Sequence, residues 1–169
     1  MDFEENCKAD AMIKEKHIPN KKQEVWQKQE KLQLGKEKIM RILLAEDDYV
    51  TRKFMVGFLS KYGECDVTVD GMEAVDAFMM ALEDEDPYDL VCLDIMMPVM
   101  DGYQALMGIR NLEKERNIPE KDRVKIIMTT ALNDEQNVKM AFDLGCTVYS
   151  GKPIDQEKFE QVLTRFGLI

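Results

Sequence analysis

From Ile39 onward the chain alternates between two rhythms of hydrophobic and polar positions. Short apolar runs at residues 41–45, 65–69, 90–93, 124–130 and 146–149 read as strands. Between them the apolar positions spread to helical spacing. Residues 49–61 carry Val50, Phe54 and Phe58 on one face with Met55 and Leu59 beside it, and Gly63 is expected to close that helix. Residues 72–82 offer Val75, Phe78, Met79 and Leu82; residues 103–117 offer Leu106, Ile109 and Leu112, until Pro119 breaks the pattern. Asn133 with Gln136 three residues on resembles a capping box for a fourth helix that Gly145 ends, and residues 155–166 turn Phe159, Val162, Leu163 and Phe166 to one side. Five strands alternating with five helices imply crossover connections and a parallel sheet covered on both faces.

Residues 1–38 have a different texture. They are polar and rich in Lys, Glu and Gln, and the stretch 21–38 has helix-forming composition. Val25, Leu32 and Ile39 recur at seven-residue spacing with Trp26 beside the first, too few heptads for a coiled coil. The segment is therefore expected to be a polar helical extension ahead of a domain at 39–169, its 21–38 helix either solvated, pairing two chains into a homodimer, or covering a face of that domain. His17 stands in a charged stretch without a neighbouring Cys or His, which gives it no metal role.

Charge sharpens the division. Residues 1–39 hold 9 Lys/Arg and 8 Asp/Glu, leaving 14 basic and 25 acidic residues for 40–169. So acidic a body argues against direct contact with nucleic acid and suits a cation. Cys7, Cys65, Cys92 and Cys146 are scattered without metal-ligand spacing, so reduced thiols are expected. No stretch reaches the roughly 18 apolar residues of a membrane span and the start lacks a basic-then-apolar leader, so the reading is a soluble cytoplasmic protein.

Chemistry gathers at the ends of the strands. The run Leu90 to Leu93 delivers Asp94, and Pro98 and Gly102 hold the following residues out of regular structure. A helix N-cap is the ordinary alternative for such an acid. Yet the first strand also ends in acids, Glu46, Asp47 and Asp48; the fourth ends at Thr130; and Lys152 follows the fifth. In a flavodoxin-like doubly wound (βα)5 sheet of order 2-1-3-4-5 these ends adjoin at one rim, by the switch point between strands one and three. Carboxylates gathered there repel one another unless a cation sits among them, and oxygen ligands favour Mg²⁺ with phosphate oxygens. Asp94 is then a candidate nucleophile for an acyl phosphate, with Lys152 and Thr130 suited to phosphoryl oxygens.

The segments 42–48 (ILLAEDD) and 93–102 (LDIMMPVMDG), with Thr130-Ala131 and Lys152-Pro153, resemble the signature of two-component response regulator receiver domains. The resemblance covers about residues 39–169. It implies that Asp94 is the phosphoacceptor, served by a sensor histidine kinase or a histidine phosphotransfer protein. It implies that Glu46, Asp47, Asp94 and the main-chain carbonyl of Met96 organise Mg²⁺, and that Thr130 and Tyr149 act as a switch after phosphorylation. A downstream protein would then read residues about 134–166. Glu46 stands where Asp is commoner in the family, and Asp48 matches a variable position outside the metal set. Met96 and Leu132 are apolar at two positions that influence hydrolysis in the family, which implies slow loss of phosphate.

The helix ending at 166 is followed by three residues, so the expectation is a stand-alone switch without a DNA-binding output, self-catalysed in its phosphoryl transfer but not otherwise an enzyme. The runner-up is a pseudo-receiver, a phosphorylation-independent interaction module. A haloacid dehalogenase-type phosphatase would want Asp where Met96 stands, and no G-x-G-x-x-G follows the first strand for a dinucleotide enzyme.

Overall fold

In the computed structural model, residues 39–131 and 135–169 are described. The expected extension at 1–38, Leu132 and the capping residue Asn133 lie outside them. The elements run β1 (Met40–Ala45), α1 (Tyr49–Leu59), β2 (Gly63–Thr68), α2 (Gly71–Glu83), β3 (Leu90–Asp94), α3 (Gly102–Glu115), a short 3₁₀ turn (Glu120–Asp122), β4 (Lys125–Thr130), α4 (Glu135–Asp143), β5 (Val148–Gly151) and α5 (Gln156–Arg165). All strand pairs are parallel and the order is β2-β1-β3-β4-β5, the doubly wound arrangement expected from the alternation of strands and helices.

The central strands read as unbroken apolar runs because both their faces are buried. Successive side chains point to opposite faces. Leu43, Val91, Leu93, Ile126 and Met128 therefore enter a core with Phe78 of α2 and Leu106 and Ile109 of α3. Ile42, Leu44, Cys92 and Ile127 enter a second core with Met55, Phe58 and Leu59 of α1 and Phe159 and Leu163 of α5. Each fully buried Leu, Ile or Phe is worth roughly 1.5–3 kcal/mol over its exposed state. These two cores fix the strand ends in space. The acids that close several strands or loops also start helices: Asp48, Asp70, Asp101 and Asp155 each accept from the backbone N–H three residues on, and Asp101 completes a capping box with Gln104.

Two local expectations are corrected. α1 ends at Leu59, and Gly63 opens β2 instead of closing the helix. A Cβ on Gly63 would stand 2.0 Å from the Met40 carbonyl oxygen, so glycine is required there by the close approach of β1, its register partner. α1 is also rotated from the face drawn above. Met55, Phe58 and Leu59 are buried, whereas Val50 and Phe54 are 73% and 44% exposed. With apolar residues at 50, 54, 55, 56, 58 and 59, two overlapping stripes are available, and the one that meets β1 and α5 wins.

Candidate functional site

Parallel strands place their carboxyl ends on one rim, and the chemistry-bearing residues fall there. β1 carries directly into Glu46, whose N–H continues the ladder to the Thr68 carbonyl at 3.1 Å. β3 ends in Asp94, opposite Thr129 of β4. After β5, the Lys152 N–H donates to the Thr130 carbonyl at 2.7 Å, which brings the lysine back over the rim. The residue after it, Pro153, follows a cis peptide bond.

Glu46, Asp47 and Asp94 each bring a carboxylate oxygen within 4.8 Å of the others. Glu46 and Asp94 are 1% and 3% exposed, and Asp47 is open to solvent. Among the described residues one cation serves the two buried acids: Lys152 Nζ lies 2.8 Å from Glu46 Oε2, 3.1 Å from Glu46 Oε1 and 3.1 Å from Asp94 Oδ1.

The electrostatics record the imbalance. Burial pushes the Asp94 carboxyl above its ordinary range; the Lys152 charge and the Met96 main-chain N–H pull it back, and the Asp47 charge pushes it up again. Burial raises Glu46 as well, with the Asp94 charge adding to it and Lys152 opposing. Burial works to lower the Lys152 ammonium, but its hydrogen bond to Glu46 and the Asp94 charge outweigh that, leaving it above its ordinary value. Among the described residues, three carboxylates and one ammonium leave a surplus of negative charge at a rim buried on one side and open to solvent at Asp47.

The donor set suits a hard divalent cation. All three side chains offer oxygen, Mg²⁺ characteristically combines one or two carboxylates with waters or phosphate oxygens, and the exposed side at Asp47 leaves room for both. Such an ion also supplies the charge that Lys152 alone cannot.

Thr130 is fully buried at the end of β4. Tyr149 is half-buried on β5, in register with Met128 and packed against the α2/α3 core. Met96 projects 61% exposed from the loop after Asp94. Asp48 caps α1, accepting from the Thr51 N–H 2.7 Å away.

Two contributors escaped the sequence reading. A Cβ on Gly102 would lie 2.3 Å from the Asp94 carbonyl oxygen, so α3 can start against the acid's own backbone only with glycine there; Gly102 was expected to hold the chain out of helix and strand, and it is instead the first residue of α3. Arg52 of α1 donates from Nη1 to the main-chain carbonyls of both Glu46 and Asp47, at 2.9 Å each. An arginine on an amphipathic helix reads as solvated surface, and nothing in its spacing marked it.

Comparison with known proteins agrees with the geometry. Residues 42–164 match the family model described as the response regulator receiver domain. Hybrid signal transduction histidine kinase L of Dictyostelium discoideum is 30% identical over 128 residues, covering 75% of this chain and 7% of that protein. The peroxide stress-activated histidine kinase mak1 of Schizosaccharomyces pombe is 33% identical over 124 residues, covering 73% and 7%. The chain thus spans less than a tenth of the length of these two kinases. Among solved structures, the CheX-CheY-BeF3-Mg complex from Borrelia burgdorferi matches with a TM-score of 0.65 at 31% identity, over 75% of this chain and 89% of that one. The receiver domain of the Saccharomyces cerevisiae response regulator Ssk1, solved with the histidine phosphotransfer protein Ypd1, matches with a TM-score of 0.66 at 27% identity, over 76% and 89%. With its family model spanning most of the chain and its acids on the expected rim, this protein belongs to the response regulator receiver domain family of two-component signalling.

Proposed function

We propose that Asp94 accepts a phosphoryl group from a phosphohistidine donor, carried by a sensor histidine kinase or a histidine phosphotransfer protein, and that residues 39–169 act as the switch this drives. The observation that carries the reading is the charge surplus at the rim: Glu46, Asp47 and Asp94 converge while, among the described residues, Lys152 is the one cation against the two buried ones. The likeness to a yeast receiver solved with its histidine phosphotransfer protein supports such a donor.

In the transfer, an Asp94 carboxylate oxygen forms a bond to phosphorus as the donor's N–P bond breaks, and the electron pair of that bond returns to the histidine nitrogen. Glu46, Asp47, Asp94 and the Met96 main-chain carbonyl are the residues that would hold Mg²⁺, which would supply positive charge against the phosphoryl oxygens. Lys152, held between Glu46 and Asp94, is placed to follow the new negative charge, and its backbone tie to Thr130 links that movement to β4. The Thr130 hydroxyl and then the Tyr149 ring would shift with it. α4, β5 and α5 present the result to a downstream protein. The apolar, outward Met96 cannot orient an attacking water, so the phosphorylated state is long-lived.

Intact mass after incubation with acetyl phosphate tests the assignment. A Mg²⁺-dependent gain of one phosphoryl group in the native protein, lost in Asp94→Ala, is expected. A gain that persists in Asp94→Ala would move the nucleophile elsewhere; no gain from either acetyl phosphate or a phosphorylated histidine phosphotransfer protein would leave the binding-module reading in its place.

A further inference from the structure

We propose that Arg52 is a positioning residue for the metal site, holding the Glu46-Asp47 turn so that the Asp47 carboxylate faces Asp94. The inference rests on the Mg²⁺-dependent reading of the rim given above.

Between the end of the β1 ladder and the start of α1, two main-chain carbonyls fall in a gap. The ladder ends with the Glu46 N–H bonded to Thr68, and the first helical acceptor is the Asp48 carbonyl, taken by the Arg52 N–H at 2.9 Å. The carbonyls of Glu46 and Asp47 belong to neither element. Arg52 Nη1 answers both at 2.9 Å, as charge-assisted bonds of the stronger kind. The guanidinium is half-buried and also stands 5.7 Å from the centre of the Tyr49 ring, on its own helix.

The side chains of the two acids differ in how they are held. Glu46 is fixed by Lys152 and by the Asp48 N–H at 3.3 Å. No described residue donates to the Asp47 carboxylate, so its place in the cluster depends on its backbone, and the backbone there depends on Arg52. The arginine meets carbonyls and not carboxylates, which leaves the carboxylate oxygens open to a cation. Lys152, by contrast, occupies the oxygens themselves.

A bystander guanidinium and a positioning one predict opposite signs. A positive charge so near a cation site repels the cation, so if charge were its only effect, neutralising Arg52 would tighten metal binding. If it orients Asp47, neutralising it loosens binding, by about tenfold on the scale usual for supports one shell out from a metal.

The test is calorimetric titration of the full chain with Mg²⁺, for the native protein, Arg52→Gln and Arg52→Lys, with the urea midpoint of each recorded to show that it folds. The expected result is an affinity lower by about tenfold in Arg52→Gln and partly restored in Arg52→Lys, which can still donate to a carbonyl. Affinity unchanged or raised in Arg52→Gln overturns the proposal while leaving the metal site standing. Native protein that binds no Mg²⁺ overturns the reading of the rim and this proposal with it. Should Arg52→Gln unfold, Arg52→Met, which keeps the length of the stem without a donor or a charge, carries the test alone, and affinity equal to or above native would count against a positioning role.

Discussion

Two sets of buried carboxylates stand at opposite ends of the sheet, and they are treated in opposite ways. At the amino-terminal end, Glu113 of α3 is 1% exposed, yet both its oxygens are answered, Oε2 by Arg110 Nη1 at 2.6 Å and Oε1 by the Val124 N–H at 2.7 Å. Arg110 in turn donates to the carbonyls of Gly145 and Val124, at 2.9 and 3.1 Å. One acid meets one base, and the pair ties α3 to the entry of β4 and to the turn after α4. At the carboxyl-terminal end, Glu46 and Asp94 are as deeply buried but share a single ammonium, with Asp47 beside them. The first arrangement is complete within the chain. The second carries a surplus of negative charge that a bound cation offsets, and that difference separates an acid held for architecture from acids that can hold an ion.

The largest effect should come from breaking the complete pair. Glu113→Ala strips Arg110 of its charge partner and the Val124 N–H of its acceptor, at a cost of about 3–5 kcal/mol. Urea unfolding of the variant against the native protein measures it, and a loss below about 1 kcal/mol would show that Arg110 and Val124 find other partners. Asp94 should respond with the other sign. Replacing it with Asn keeps the shape and removes one of two buried like charges, leaving Lys152 to Glu46, so the metal-free protein gains about 1–2 kcal/mol while losing the proposed phosphoacceptor. A destabilised Asp94→Asn would mean the Lys152 contact outweighs the repulsion, and the contrast between the two ends would fall.

How much of this could be read from the sequence depends on whether the signal was local. Asp94 was legible because an apolar run leads into it, and Thr130 and Lys152 because they too follow runs; once the alternation of strands and helices implies a parallel sheet, their meeting at one rim follows from topology. Glu113 was not legible. It lies in Asn111-Leu112-Glu113-Lys114-Glu115, a stretch that reads as solvated helix, and its burial depends on Arg110 one turn back and Val124 beyond the next loop. Val50 and Phe54 misled for the related reason that an over-supply of apolar residues on α1 leaves its rotation to tertiary packing. Gly63 has the composition of a helix stop, and only the approach of Met40 reveals its actual use.

The smallest effect is the most direct probe of the incomplete end. Burial raises the folded-state carboxyls of Asp94 and Glu46 above their ordinary values of 3.8 and 4.5, so the folded chain holds these protons more tightly than the unfolded one. Stability therefore falls as pH rises through that range, and the penalty is fully present only above the raised values; on acidification it is relieved as the two groups take up protons. The caps Asp48 and Asp155 run the other way, with lowered carboxyls whose contribution is present above 3.8 and lost below it. Mg²⁺ bound by the rim should oppose the first of these trends. At ten times its dissociation constant it adds about 1.4 kcal/mol at pH 7. That gain should shrink as pH falls toward 4.5, because protons and the ion compete for the same oxygens. Urea midpoints at pH 7 and pH 5, with and without Mg²⁺, give the four numbers needed. A Mg²⁺ gain equal at both values would put the ion on groups that do not titrate there, and the surplus charge at the rim would need another occupant.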